Sequence, residues 1–444
     1  MWPYHPNLLA RPVPRYTSFP TAAEFAPLPP EVQVAALEAL TGTALHPASL
    51  YVHIPFCEKI CWYCGCNTSA TGRGDRLAGY LAALTREFQL VAGRIPAGTR
   101  FGQVAFGGGS PNALAPHAFV ELVHMLTLAF GLIGTEWSIE LDPRTLTPDW
   151  ERVLAGVGIR RASLGVQTFS PRLQAAIGRV QPDELIARAV DMVRRAGVTS
   201  LNFDLMYGLP GQTLADLEQS LLRTCELGAD RIALFGYAHV PHMIARQRKI
   251  AAADLPDQAA RFAMASFGHD LLTFAGYVPV GFDHFARPSD PLAQAARAGQ
   301  LHRNFQGFTD DPAQAVIGLG ASAISCFPGV LVQNEKHTGH YRDLVGSSML
   351  AGTRGVIRTP RDVLSGQVIT GLLCHGRADL TPLGPDALPA RFEQSIAPFI
   401  ERGLARVDAG ELTILRAGLP YARTIAALFD HHRPVGSSRF SSAI

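Results

Sequence analysis

Four of the seven cysteines in this chain stand between positions 57 and 66, within the stretch YVHIPFCEKICWYCGCN. Cys57, Cys61 and Cys64 follow the spacing C-x3-C-x2-C. A short loop with that spacing can wrap three thiolates around one corner of a 4Fe–4S cube, each sulfur taking one iron. The fourth iron then keeps an open position for a ligand that is not protein. Zinc is one alternative, but its structural sites gather pairs of ligands well separated in sequence, and four cysteines this close would be cramped. Inert packed thiols are the other. The N-terminal stretch MWPYHPNLLARPVPRY is broken by prolines and lacks the apolar segment of a secretory signal. A cytosolic chain keeps its thiols reduced, which favours a metal site over a disulfide framework.

Other residues have types that could do chemistry. The glycines of FGGGS (106–110) free the backbone to approach a ligand, although a plain strand-to-helix turn has the same composition. Glu140 ends an apolar run, where a carboxylate can accept hydrogen bonds from a ribose or an ammonium group, or simply meet solvent. Gln167 and Asp204 lie in strand-like runs where a polar group needs a partner, structural or functional. Arg179, in IGRVQ, has the ordinary fate of a solvated charge as its alternative. DHFARP (283–288) and LHRNFQGF (301–308) combine histidine, arginine and aromatics. His340, His375, His431 and His432 show no ligand spacing.

The elements that must position these residues can be read from the apolar runs. SLYVHI (49–54), GQVAFGG (102–108), EWSIELDP (136–143), RASLGVQ (161–167), SLNFDLMYGLP (200–210), RIALFGYAHVP (231–241) and YVPVGFDHF (277–285) alternate with helical patterns such as DELIARAVDMVRRAGV (183–198). Mostly apolar runs of this kind fit parallel strands covered by helices. The pattern implies an α/β barrel or a doubly wound sheet, whose chemistry sits at the carboxyl ends of the strands. The cysteines, the glycine turn, Glu140, Gln167, Asp204 and Tyr237–Ala238 all fall at or near such ends.

Residues 1–47 read as an extended, proline-rich arm, 48–285 as the barrel, and 286–354 as an extension completing the substrate side of the cavity. Residues 355–444 read as a small, mainly helical domain with one hairpin in GLARVDAGELTILRAG and a final helix with a polar tail. The chain has 444 residues, 47% hydrophobic and 17% charged, with a net charge of +2. Nothing in that balance calls for nucleic acid or a membrane surface. The longest uncharged run, QAVIGLGASAISCFPGVLVQ, is interrupted by glycine and proline and reads as buried core, not a membrane span.

The cysteine motif after a first strand resembles the radical SAM enzymes. RYTSFPTA, FGGGSPNAL, IELDPRTL, SLGVQTFS, NFDLMYGLPGQT, YAHVP, DHFARP, LHRNFQGF and GASAISC, in that order, further resemble the oxygen-independent coproporphyrinogen III oxidases over most of 14–336. The resemblance implies a partial (β/α)6 barrel, a 4Fe–4S cluster on Cys57, Cys61 and Cys64, and two S-adenosylmethionine molecules. It implies Tyr51, Gly108, Glu140, Ala238 and Ile324 for the first of these, and Tyr63, Gly109, Ser110, Gln167, Arg179 and Asp204 for the second. Ser110 stands where the family usually has Thr, and Gly236 where it often has Asn. Cys66 is implied as a catalytic residue outside the cluster.

The substrate implied is coproporphyrinogen III, a macrocycle with four carboxylates. Arg15, Arg287 and Arg303 are the candidates to bind them, since the arginine fork matches carboxylate geometry. The implied setting is a cytoplasmic monomer with an external flavodoxin- or ferredoxin-like electron donor and an unidentified electron acceptor. A haem chaperone and a methyltransferase or haem-cleaving enzyme of the same superfamily are the alternatives. The fourth cysteine and the RYTSFPT arm argue against the first, and DHFARP and LHRNFQGF against the second.

Overall fold

In the computed structural model, residues 1–40, 42, 47–72, 74–384, 388 and 391–433 are described. Six parallel strands form its centre: β1 (Ala48–Ile54), β2 (Phe101–Gly108), β3 (Glu136–Leu141), β4 (Arg161–Gln167), β5 (Ser200–Tyr207) and β6 (Arg231–Gly236). They lie side by side in chain order, with helices between them. All seven residues of β1 are buried, as expected of a strand covered on both sides.

The helices owe their places to apolar stripes. In the helix Asp183–Arg195, Ile186, Ala189, Val190 and Val193 are buried, the i, i+3, i+4, i+7 pattern of one face. The helix Leu214–Glu226 begins at a capping box, in which Thr213 and Asp216 each bond the other's backbone N–H. These helices and the strands share one core cluster, which reaches from Leu9 to Phe429.

The sheet continues past the six strands on both sides, to thirteen strands. Val316–Leu319 adds in parallel to β1, followed by antiparallel strands Ile324–Phe327, Val330–Asn334 and Gly352–Ile357. The run 314–333, read from the sequence only as buried core, thus supplies the first two of these strands and all but the last residue of Val330–Asn334. At the other edge, 277–285 is not a further parallel strand. It turns at Gly281, where φ is +60°, so Val278–Val280 and His284–Ala286 pair as an antiparallel hairpin against β6.

The arm is more structured than its composition suggests, with a helix at Pro30–Glu38 and Leu9, Val13, Tyr16 and Phe19 buried. The C-terminal part holds the helix Pro360–His375 and the expected hairpin, Ala405–Asp408 with Glu411–Ile414. Arg377–Asp379 joins it as a third strand. The final helix is short, Ala422–Ala426, and the polar tail after 433 lies outside the described residues. Among those residues no helix is long and apolar enough to cross a membrane.

Candidate active site

The carboxyl ends of the six strands meet at a cavity of about 390 Å³. Cys57, Cys61, Tyr63, Cys64 and Cys66 enter it from the loop after β1, and Gly108, Gly109 and Ser110 from the turn after β2. Glu140, Gln167, Asp204 and Ala238 come from the ends of β3 to β6, with Arg179 beside them.

The glycine turn first serves to hold the cysteine loop. Gly108 has φ +107°, and a Cβ there would stand 2.4 Å from the His53 ring. A Cβ at Gly109 would stand 2.5 Å from the Phe56 carbonyl oxygen. That closeness lets the Gly109 N–H donate to the Ile54 carbonyl and the Ser110 N–H to the Phe56 carbonyl, both at 2.8 Å. The turn also presents the Gly108 N–H to Glu140 Oε2 at 3.1 Å. Burial pushes the Glu140 carboxyl up to about 7, against the pull of that bond.

Two guanidinium groups flank one cysteine. Arg144 Nη2 and Arg179 Nη1 each stand 3.3 Å from Cys61 Sγ. Asp142 holds both, with Arg144 Nη2 at 2.6 Å from Oδ2 and Arg179 Nη2 at 3.2 Å from Oδ1. Burial alone would raise the Asp142 carboxyl, but Arg179 and Arg144 hold it below its ordinary value. The thiols differ among themselves. A hydrogen bond from the Cys66 thiol brings Cys64 down to about 6, whereas burial pushes Cys57 up to about 12.

The donor set suits an iron–sulfur cluster. Around one zinc ion, with Zn–S near 2.3 Å, the sulfurs would lie less than about 4 Å apart. Cys57, Cys61 and Cys64 instead come from one short loop and line one cavity together, the disposition a 4Fe–4S cluster takes.

Residues 51–223 match the radical SAM superfamily. The chain is 41% identical to the oxygen-independent coproporphyrinogen III oxidase of Bradyrhizobium diazoefficiens, over 97% of each chain. It is 38% identical to the Escherichia coli protein of that name, over 94% of this chain and 92% of the relative. Its structure is similar to that of coproporphyrinogen III oxidase (HemN) from Escherichia coli, described as a radical SAM enzyme. The TM-score is 0.89 with 36% identity, covering 97% of this chain and 100% of the other. The chain belongs to the oxygen-independent coproporphyrinogen III oxidases.

Within this oxidase fold, Tyr51 is buried in β1 and does not line the cavity; its hydroxyl stands 3.0 Å from His53 Nδ1 and its ring is edge-on to Phe305. Burial raises the Tyr51 hydroxyl, with Glu140 and Cys66 adding to the effect. Gln167 ends β4 at φ +68°, a strained conformation for a residue with a side chain, at a break in the β4–β5 register. Asp204 accepts from Asn202 Nδ2 at 2.8 Å and Ser163 Oγ at 3.1 Å, and burial raises its carboxyl. Tyr63 and Ala238 are tied together through Gln247, whose Nε2 donates to both their carbonyls.

Besides Tyr51, three sequence candidates lie outside this cavity. Ile324 and Arg303 line a neighbouring cavity of about 480 Å³, together with Tyr16. Arg287 sits at the opposite end of β6 from the cysteines, where Nε donates to the Ala229 carbonyl and the guanidinium lies over Tyr277. Its guanidinium therefore lies outside the cysteine cavity. Cys66, by contrast, is exposed to the cysteine cavity, and its carbonyl accepts from Arg246.

His53, Asp142 and Arg144 were not singled out from the sequence. The signal for the last two was present in IELDPRTL, a pair of opposite charges directly after a strand end. His53 is held neutral by burial, which brings it down to about 4. His431 and His432 show no ligand spacing, yet their Nε2 atoms lie 3.1 and 2.6 Å from Asp362 Oδ1.

Proposed function

We propose that this protein decarboxylates coproporphyrinogen III oxidatively and without oxygen, converting two propionate side chains to the vinyl groups of protoporphyrinogen IX. The observation that carries the reading is the convergence of Cys57, Cys61, Cys64, Gly108, Glu140 and Arg179 on one cavity in a chain of this family. Cys57, Cys61 and Cys64 would hold the 4Fe–4S cluster. Gly108, Glu140, Tyr51 and Ala238 would hold one S-adenosylmethionine, with Tyr63, Gly109, Ser110, Gln167, Arg179 and Asp204 available to a second. When bound, these cofactors supply a 5′-deoxyadenosyl radical that takes a hydrogen atom from a propionate β-carbon. The side chain then loses CO2 and one electron, so an external acceptor is required.

The chain's own residues set the conditions. Arg144 and Arg179 offset thiolate charge at Cys61, and Asp142 fixes both guanidiniums so that they need not reorganise. Glu140, already bonded to the Gly108 N–H, presents an acceptor to an amino group. The backbone amides of Gly109 and Ser110 are engaged by carbonyls, so their contribution to a ligand is close backbone approach. Cys66 lines the same cavity, where its thiol would relay or quench a radical or hold geometry.

The arm, barrel, extension and C-terminal boundaries at 47, 285 and 354 belong to this proposal. So do a cytoplasmic setting, a monomeric state, and a flavodoxin- or ferredoxin-like donor. The test is anaerobic incubation of reconstituted protein with S-adenosylmethionine, a reductant and coproporphyrinogen III, read by mass spectrometry. Loss of two carboxyl groups together with 5′-deoxyadenosine is expected. Deoxyadenosine release with an unchanged macrocycle would sink the substrate assignment.

A further inference from the structure

A second, smaller chamber of about 50 Å³ adjoins the cysteine cavity, and Arg15 and Gly236 line both. Arg15, Tyr207, Asp283 and Arg423 border it, each from a different part of the chain. Arg15 comes from the arm, Tyr207 from the end of β5, Asp283 from the turn before His284–Ala286, and Arg423 from the helix Ala422–Ala426. Arg303 lies behind Arg15, with its guanidinium 4.3 Å from the Phe308 ring centre and 5.2 Å from that of Phe282. The Arg423 guanidinium lies 5.6 Å from the same Phe282 ring. Arg261 approaches from the helix Gln258–Phe274.

The charges around this chamber do not balance among the described residues. Arg15 donates to the Gly236 carbonyl, Arg261 to the Tyr237 carbonyl, and Arg303 to the carbonyls of Tyr16 and Arg15. Those acceptors are dipoles, not charges. Arg303 Nη1 and Arg261 Nε are buried with no partner among the described residues. The carboxylate at the chamber, Asp283, is already 2.7 Å from His284 Nδ1. The guanidiniums of Arg15, Arg261 and Arg303 therefore share a desolvated region with one described carboxylate, an arrangement that like-charge repulsion and desolvation both oppose. Burial lowers Arg303 and Arg261. Their neighbour Arg423 feels the same field: burial, then Arg15 and Arg303, bring it down to about 10 against Tyr207 and Asp283.

We infer that this chamber is a carboxylate subsite, in which Arg15 and Arg423 grip a propionate of the macrocycle that the reaction leaves in place. The inference rests on the substrate reading above: of four carboxylates two are removed, and two remain to be held. The chamber suits that role in size, being a recess for a side-chain terminus beside the larger cavity. It also suits it in position, because Arg15 borders the cysteine cavity and a carboxylate held there fixes which side chain points toward Cys66. The arm and the C-terminal part are tied to each other by Tyr16 Oη to Asp430 Oδ2 at 3.0 Å and Arg433 Nη2 to the Pro12 carbonyl at 2.9 Å. The two arginines thus keep a fixed relation, as a positioning clamp requires.

The test compares Arg15→Gln, Arg423→Gln and Arg423→Lys in reconstituted, full-length enzyme. Two substrates are used: coproporphyrinogen III, and its analogue with the two surviving propionates as methyl esters. Removing a charge-assisted bond is expected to raise KM for the tetra-acid by about tenfold or more in each Gln variant. Iron content stays at the wild-type value, and Arg423→Lys recovers part of the loss. The diester is a poor substrate for the wild type, and that penalty shrinks in Arg423→Gln, which a merely structural role would not produce. Wild-type KM and an undiminished diester penalty in both Gln variants overturn the subsite. A wild-type enzyme that leaves coproporphyrinogen III unchanged overturns instead the substrate reading on which it rests.

Discussion

Cys57, Cys61, Cys64 and Cys66 reach the cavity from a single loop after β1, whereas Arg15 and Arg423 line the adjoining chamber from opposite ends of the chain, with Arg261 and Arg303 close enough to repel Arg15. The two regions also treat charge differently. Around Cys61 the guanidiniums of Arg144 and Arg179 are matched by Asp142 at salt-bridge distance. Around Arg15, Arg261 and Arg303 the positive charges outnumber Asp283, the carboxylate that the described residues place at the chamber. A resident group of fixed size can be held by one short loop whose charge is settled within the protein. A wide, transient anion needs contacts from distant segments, and its arrival completes the electrostatics of its site.

The comparison is sharpest if the two regions can be lost separately. Cys57→Ala, Cys61→Ala and Cys64→Ala are each expected to lose most iron and reduce turnover to the assay floor. Binding of oxidised coproporphyrin III, followed by fluorescence quenching, should persist in all three. If it disappears with the iron, the two regions are one unit and the contrast drawn above is wrong.

Next in size is Cys66→Ser, nearly isosteric and expected to keep full iron content and cluster absorbance while turnover falls at least about a hundredfold. Loss of iron would make Cys66 a ligand, and wild-type turnover would make it packing.

Asp142→Ala should leave Arg144 and Arg179 buried beside a thiol with no counter-charge, at a cost of about 3–5 kcal/mol in stability. Urea unfolding of the iron-free protein measures this without interference from the cluster. A change under about 1 kcal/mol would mean that the charges near Cys61 are not balanced by this residue.

A smaller, pH-dependent effect belongs to neither region and serves as a reference. Glu87 is fully buried and accepts from the Gly320 N–H at 2.6 Å, Tyr341 Oη at 2.7 Å and Asn334 Nδ2 at 2.8 Å. Burial pushes its carboxyl from 4.5 up to about 7. Because the folded value is the higher one, the folded state keeps this proton longer. Its contribution, on the order of 3 kcal/mol, is complete below about pH 4.5 and lost as pH rises through 7. Glu87→Gln should flatten that slope in urea-unfolding measurements made from pH 5 to pH 8, and an unchanged slope would assign it to other groups.

The smallest effect is expected at Arg287→Gln. It resembles Arg303 in sequence context, yet its guanidinium lies at the opposite end of β6. KM should stay within about twofold of wild type and stability within about 1 kcal/mol. A tenfold rise in KM would return Arg287 to the substrate site.

The strand–helix rhythm from 49 to 241 was legible because parallel strands buried on both faces must be apolar throughout, and their helices must carry an apolar stripe. The cysteine spacing was legible because ligands on one loop are positioned by local geometry alone. Strand direction was not legible. The run 277–285 has strand composition, but the turn at Gly281 makes His284–Ala286 antiparallel to β6, which carries Arg287 away from the cavity. Partners far apart in sequence were equally hidden. Arg179 reads as a surface charge until Asp142 and Cys61 are folded against it, and Arg423 gave no signal at all until the C-terminal helix was set beside Arg15. Sequence alone determined the features that periodicity and local spacing dictate. The tertiary structure decided which distant charges share one desolvated space, because burial and proximity, not residue type, set the energy of a charge.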